Sequence, residues 1–164
     1  MSWKPQESYI VAQGIEELSS SAKLPMGTIV KASHPSLGMG EFMYAKGVAS
    51  TAVGSVVTID EEGVTALAGS DGKGRIGCAM AANVANNYGW YQIGGKGVAK
   101  VATGFADNGV CYLTGTDGTV DDAAVDGDLV HGMMGRSAID TPSTGLAYVE
   151  LNRPFVDDTS KDGQ

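Results

Sequence analysis

The sequence predicts an all-β fold: a β-sandwich or small barrel of about nine or ten short strands with an extended N-terminal arm. Glycine supplies 24 of the 164 residues, about twice the usual ~7%, and falls mostly singly between short apolar runs, as in a chain that turns often. Strand-like runs recur about every ten residues. By contrast, no apolar pattern with a helical period is sustained over three turns.

The candidate strands follow one another along the chain, each rich in β-branched, aromatic or small apolar residues and bounded by turn signals. Within 86–102, a glycine-rich stretch predicts two strands around a bend, with the aromatic side chains in the first strand. The candidate segments are 28–32, 41–48, 55–60, 64–68, 75–82, 86–102, 110–113, 120–125, 129–131 and 145–151.

The pattern divides the chain into an N-terminal arm (1–23), a β domain (24–156) and a flexible acidic tail (157–164). The arm carries Trp3, Tyr9 and Ile10 in a weakly patterned stretch. Such a segment either stays loose or becomes ordered on a partner, for example by adding a strand to the partner's sheet.

The charge balance excludes several classes of partner. The chain has 11 basic and 19 acidic residues, a net charge of −8. Nucleic acids and anionic membranes would repel it, because both are bound chiefly through Lys and Arg. Neither a secretory leader nor a membrane-spanning segment is predicted, so we expect a soluble protein made in the cytoplasm.

The residues that most often carry chemistry are few and scattered. Cys78 and Cys111 are predicted to be buried free thiols rather than a disulfide. His34 and His131 lie far apart in sequence without further ligands at metal-binding spacing, so no metal site is predicted. The aspartates between 117 and 128 are interpreted as solvated acidic turns, with a weak structural cation as the alternative.

No catalytic motif is found. Serine hydrolase chemistry needs a nucleophile, a base and an orienting acid, and no Gly-x-Ser-x-Gly segment is present. The glycine-rich loops at 69–74 and 94–97 do not match a phosphate-binding loop and are interpreted as β-turns. The chain is therefore predicted not to be an enzyme and to bind no cofactor.

Aromatic residues concentrate at Tyr88, Trp90 and Tyr91. In a strand, Trp90 and Tyr91 point to opposite faces. One is therefore predicted to lie in the core and the other at the surface or in a subunit contact. Stacking on sugars or bases is the alternative.

Three stretches, 40–50, 88–97 and 146–155, together with 24–28, resemble the capsid decoration (cement) proteins of tailed bacteriophages. The resemblance extends over about residues 24–156 and is one of overall pattern. It implies a structural virion protein on the outer surface of the phage head, bridging copies of the major capsid protein and stabilising the shell. It also implies a homo-oligomer, a trimer or a dimer.

The family supplies no motif-defined contact residues. From the residues themselves, Trp3, Tyr9 and Ile10 are predicted as partner contacts, with Tyr91 and Phe155 as lesser candidates. Three alternatives remain: another virion component such as a head fibre base or tail protein, a carbohydrate-binding module, and a hydrolase of unrecognised type.

Overall fold

The computed structural model describes residues 2–5 and 12–157, and within them the chain is all-β, with eleven strands and no helix, as the sequence predicts. The strands pair antiparallel into one sheet that does not close on itself, which favours a sandwich-like arrangement over a closed barrel. The strands are β1 (Lys4–Pro5), β2 (Ile29–His34), β3 (Gly38–Lys46), β4 (Val56–Ile59), β5 (Thr65–Leu67), β6 (Gly74–Ala79), β7 (Tyr88–Lys100), β8 (Val110–Leu113), β9 (Val120–Asp121), β10 (Leu129–Gly135) and β11 (Leu146–Val156).

The strand order is β1-β2-β3-β7-β6-β11-β10-β8-β9, with β4 pairing with β5 and β6 beside this path. The sheet ends in very short strands: β1 and β9 have two residues each and β5 has three. Short edge strands present few unpaired backbone groups, which limits uncontrolled pairing with other chains.

The glycine-rich stretch within 86–102 does not separate two strands; β7 is a single strand of 13 residues. The prediction was wrong because Gln92 holds the bend together from inside. Its buried Nε2 donates to the carbonyl oxygens of Gly94 at 3.0 Å and Lys96 at 3.1 Å. Gly95 takes a φ of +85°, which glycine adopts readily. The strand therefore turns without ending.

This bend lets β7 serve two neighbours. Its first half, up to Gly95, pairs with β3, and its second half, from Gly94, pairs with β11. Two residue pairs, Gln92 with Cys78 and Tyr91 with Ala79, also join its first half to β6. The strand is thus the central connection between the two ends of the sheet.

Trp90 and Tyr91 do point to opposite faces of β7, as predicted, but neither is at the surface. Trp90 is 2% exposed and Tyr91 is 0% exposed. They belong to separate apolar clusters. Trp90 lies in a cluster with Phe42 and Tyr44, and Tyr91 lies in a cluster that includes Met43. The prediction of one exposed partner was wrong because the sheet is covered on both faces at this point.

A third and larger apolar cluster fills the space around the other half of the sheet. It combines inward-facing side chains of β6, β7, β8, β10 and β11. Its members include Ile76, Leu113, Val130, Val149 and Leu151. Apolar burial of this kind is the main favourable contribution to folding.

The described part of the predicted N-terminal arm packs as part of the domain. Gln13 is buried, its Nε2 donates to the carbonyl oxygen of Tyr88 at 2.8 Å, and its Oε1 accepts from the Tyr44 hydroxyl at 2.6 Å. Trp90 donates from Nε1 to the Gln13 carbonyl oxygen at 3.2 Å. Ile15 is buried in the same cluster. This segment therefore completes one of the cores.

We expect Gly97→Ala to destabilise the fold by about 1–3 kcal/mol, because a Cβ there would contact Oε1 of Gln92 and lie 2.8 Å from its Cδ. Gln92 cannot move away without losing its two hydrogen bonds. Gly115→Ala is the matched control, since a Cβ there meets nothing within 4 Å, and should change stability by less than about 0.5 kcal/mol. Urea denaturation measures both; equal midpoints would contradict this role of Gln92.

Candidate partner-binding surface

The exposed side chains of β11 are set by an irregularity in the strand. Val149 and Leu151 face inward, as alternation requires, but Asn152 and Arg153 are both exposed. The inward positions then resume at 154 and 156. This extra outward residue is a β-bulge, and it turns Phe155 to the outside, where unbroken alternation from Leu151 would have pointed it inward.

The neighbouring strand β10 accommodates the bulge with a glycine. Between the pairs Met133–Leu151 and His131–Phe155, the register shifts. Gly132 has a φ of +77°, and a Cβ there would lie 2.5 Å from the Asn152 carbonyl oxygen. Arg153 also has a positive φ, +41°, which is uncommon for a residue with a side chain. Such irregularities re-aim side chains and are frequent near functional sites.

Phe155 is the most prominent apolar side chain near the bulge. It is 46% exposed, and its ring stacks on that of His131, with centroids 4.8 Å apart and an interplanar angle of 16°. His131 Nε2 in turn lies 3.5 Å from Oδ1 of Asp157. Aromatic side chains with one covered and one open face are typical anchors in protein interfaces.

Arg153 is one of the two outward-facing residues of the bulge, and its Nε is 3.1 Å from Oε2 of Glu41. Met39, 51% exposed, lines the same cleft of about 310 Å³ as these two residues. A second cleft, of about 380 Å³, includes His131 and Asn152 in its lining. Asn152 belongs to both clefts and joins them. We call the following set the bulge patch: Met39, Glu41, His131, Asn152, Arg153 and Phe155.

Further cations surround the bulge patch. Lys31 lines the first cleft and Arg136 the second. Arg136 is held by Glu150, with Nη2 2.7 Å from Oε2. Lys96 is exposed, with its Nζ 4.7 Å from the centroid of the Tyr148 ring. Exposed ion pairs such as these contribute little to folding stability and remain available to a partner.

The residues predicted as partner contacts lie in different environments. Phe155 is exposed, as a contact residue must be. Tyr91 is buried, and its hydroxyl accepts from Nδ2 of Asn83 at 2.9 Å. Tyr9 and Ile10 lie outside the described residues.

Trp3 is buried within its own chain, where its ring packs edge-on against Phe42 with centroids 4.8 Å apart. The adjoining strand β1 pairs with β2 of the same chain. Neither Trp3 nor Tyr91 is therefore available as an exposed contact, because each fills a core of this chain.

The groups considered for chemistry occupy structural positions, and the two cysteines share one apolar cluster. Cys78 and Cys111 are both free and buried, as predicted. In the described part of the chain, no three His, Cys, Asp or Glu side chains are placed to hold a metal ion. Asp128, at one end of the acidic turns, is buried and accepts from the Asp71 backbone N–H at 2.8 Å. This carboxylate stabilises the loop at Asp71, so the prediction that it is a solvated turn residue was wrong.

The three stretches on which the family resemblance rests become neighbours in space. They contain β3, β7 and β11, and Glu41, Gly94 and Asn152 stand side by side across these strands. No family model, curated protein or solved structure matches the chain. Over 2–5 and 12–157, the structure contains no helix long and apolar enough to cross a membrane.

One residue in the sequence indicates the bulge. Pro154 lies within β11, and proline within a strand is found mainly at edges and bulges. Met39 and His131 gave no comparable signal, because their place beside the bulge depends on which strands pair.

We expect Trp3→Ala to lower the free energy of unfolding by about 3 kcal/mol, since the buried indole packs on Phe42 and on His34, with a centroid distance of 5.2 Å to the latter. Ser2→Ala, at an exposed neighbouring position, should leave stability within about 0.5 kcal/mol. Thermal or urea denaturation distinguishes the two variants. An unchanged midpoint for Trp3→Ala would show that the indole does not stabilise the chain.

Stability should fall at alkaline pH. Burial raises the pKa of Cys78 and of Cys111 from 9.0 to about 12, and it also raises the pKa of Tyr44 and Tyr91. Above pH 9 the unfolded chain therefore releases protons that the folded chain keeps, so stability decreases as pH rises from about 9 towards 12, by at most about 1.4 kcal/mol per pH unit for each thiol.

Denaturation midpoints at pH 8 and pH 10 measure this decrease. A variant with both cysteines replaced by alanine should show a smaller difference between the two pH values, whatever its absolute stability. The same difference in variant and parent would mean that the thiols do not contribute.

Proposed function

We propose that this chain is a capsid decoration (cement) protein, a structural virion component that binds the outer surface of a phage head and bridges major capsid protein subunits. The observation that carries the proposal is the convergence of the three family-like stretches on β3, β7 and β11. The stretches on β3 and β11 supply Glu41, Asn152, Arg153 and Phe155 of the bulge patch, so the resemblance concerns a contiguous part of the sheet and some of its exposed side chains.

The architecture suits a mechanical role. Three apolar clusters and a sheet buried on both faces around Trp90 and Tyr91 make the centre of the domain densely packed. Dense interiors have low compressibility and transmit strain. A block of this kind, attached to two neighbouring capsid subunits, resists their separation when the packaged DNA presses outward.

The charge is compatible with an outward position. A net charge of −8 gives no attraction to the enclosed nucleic acid. Modest contacts to single capsid subunits suffice, because an oligomer that engages several subunits at once gains from a high effective concentration. Tyr9 and Ile10 remain proposed capsid contacts.

The carbohydrate-binding alternative gains no support from the structure. It relied on the aromatic strand, but Trp90 and Tyr91 are both buried. Tyr88 is half-buried and stacks on Tyr44, with centroids 6.4 Å apart. These side chains hold the core together and do not form an open platform for a sugar ring.

Purified protein mixed with expanded phage heads that lack it should occupy fixed lattice positions, visible as ordered extra density by electron cryomicroscopy. The heads should also release their DNA at a higher temperature. Unexpanded shells are the control, because the bridged arrangement of subunits forms only after expansion. Bare heads at saturating protein would exclude the cement role, and binding to tails or fibres alone would identify another virion component.

A second comparison tests the arm. Tyr9→Ser together with Ile10→Ser should reduce occupancy on heads without changing the unfolding midpoint. Trp3→Ala, in contrast, should lower the unfolding midpoint, because Trp3 is part of the core. Full occupancy by the Tyr9 and Ile10 variant would contradict the role proposed for these two residues.

A further inference from the structure

Charge is unevenly distributed over the surface beside the bulge patch. The two clefts are lined by Lys31, Arg136 and Arg153 together with Glu41 and Glu150. Lys96 pairs with Glu150 across β7 and β11, and Asp157 lies beside His131 of the patch. The total is four cations against three carboxylates. The segment 101–128, which forms β8 and β9 with their loops, has six aspartates and neither Lys nor Arg. We call this segment the acidic segment.

Apolar side chains are exposed in both regions. Met39 and Phe155 stand out in the bulge patch, and Val110 and Val125 in the acidic segment, all more than two-fifths exposed. Val110 lines the cleft that also contains Asn152 of the patch, so the two regions adjoin each other. An exposed apolar surface bordered by charges of both signs is typical of a protein–protein contact.

The identity of the partner follows from the charge. Two copies of a chain with a net charge of −8 repel each other over most of their surface. Contact between copies is favourable where a strongly acidic region meets one with an excess of cations, and the chain carries both regions on adjoining surfaces. A second copy can therefore offer Asp107 and Asp126 to Lys96 and Arg153, with Phe155 excluding water between them.

We infer that the bulge patch is a self-association surface, and that its occupant is the acidic segment of a second copy of this chain. The bulges in β10 and β11 serve this contact, because they place Arg153 and Phe155 together on the exposed side. The inference gives the proposed homo-oligomer a defined interface, and it holds whether or not the oligomer binds phage heads.

Sedimentation of the full chain over a range of concentrations tests the inference. The wild type should assemble, and its dissociation constant should rise with ionic strength as the charge pairs are screened. A patch variant, Lys96→Glu with Arg153→Glu, should raise the dissociation constant at least about tenfold, and Phe155→Ser should act in the same direction.

The matched control reverses two exposed lysines elsewhere, Lys23→Glu with Lys73→Glu. It makes the same change in net charge and should alter the dissociation constant by less than about twofold. Near-native resistance of Cys78 and Cys111 to alkylation shows that each variant is folded, because both thiols are buried.

A charge exchange provides the decisive comparison. Asp107→Lys with Asp126→Lys should weaken assembly alone, and combining it with the patch variant should restore assembly, since attraction returns with the signs exchanged. A wild-type chain that stays monomeric, an equal loss in the control variant, or no restoration in the combined variant would overturn the inference.

The same variants separate this inference from the cement function. If the patch variant is monomeric but still decorates heads, then copies associate through the patch and heads are bound through another surface. Assembly that depends on the patch while heads stay bare supports the inference and removes the cement proposal. Assembly that is unaffected by the patch variant overturns the inference, whatever happens on heads.

Discussion

The bend in β7 is the constraint on which the rest of the sheet depends. One buried amide, that of Gln92, donates to the carbonyl oxygens on either side of Gly95, and the absence of a side chain at Gly97 leaves room for its Oε1. A buried polar group without partners would be costly, so these bonds specify the bend. Because the strand continues through it, β3 and β11 become neighbours of one strand, and the apolar clusters on both sides of the sheet are connected through it.

The exposed surface is shaped by a second departure from regular strands. The bulge in β11 and the positive φ of Gly132 beside it change which side chains face outward. A regular strand would have buried Phe155 with Leu151 and left the surface without its aromatic anchor. The strained backbone at Arg153 persists because Asn152 before it and Phe155 after it are paired with neighbouring strands. The bulge thus lets β11 pack into the core with Leu151 and present Phe155 to a proposed partner.

The proposed roles rest on this division. The densely packed centre gives a decoration protein its stiffness, while the bulge patch and the acidic segment provide surfaces of complementary charge. In the proposal, binding to heads and association between copies use different surfaces. Their contributions multiply on a lattice, because each contact raises the effective concentration for the next. Short edge strands limit backbone pairing with other chains.

Local sequence determined the all-β class, most strand positions and the burial of Cys78 and Cys111, because β propensity and turn residues act over a few positions. It could not show that 86–102 is one strand, since the bonds of Gln92 form only when the chain has folded around it. The burial of Trp3, and of Tyr91 as well as Trp90, was also decided by the tertiary structure, which supplied a second covering layer. Of the bulge patch, the sequence indicated Phe155 alone; Met39, His131 and Arg153 join it through strand pairing and bulges, which depend on residues far apart in the chain.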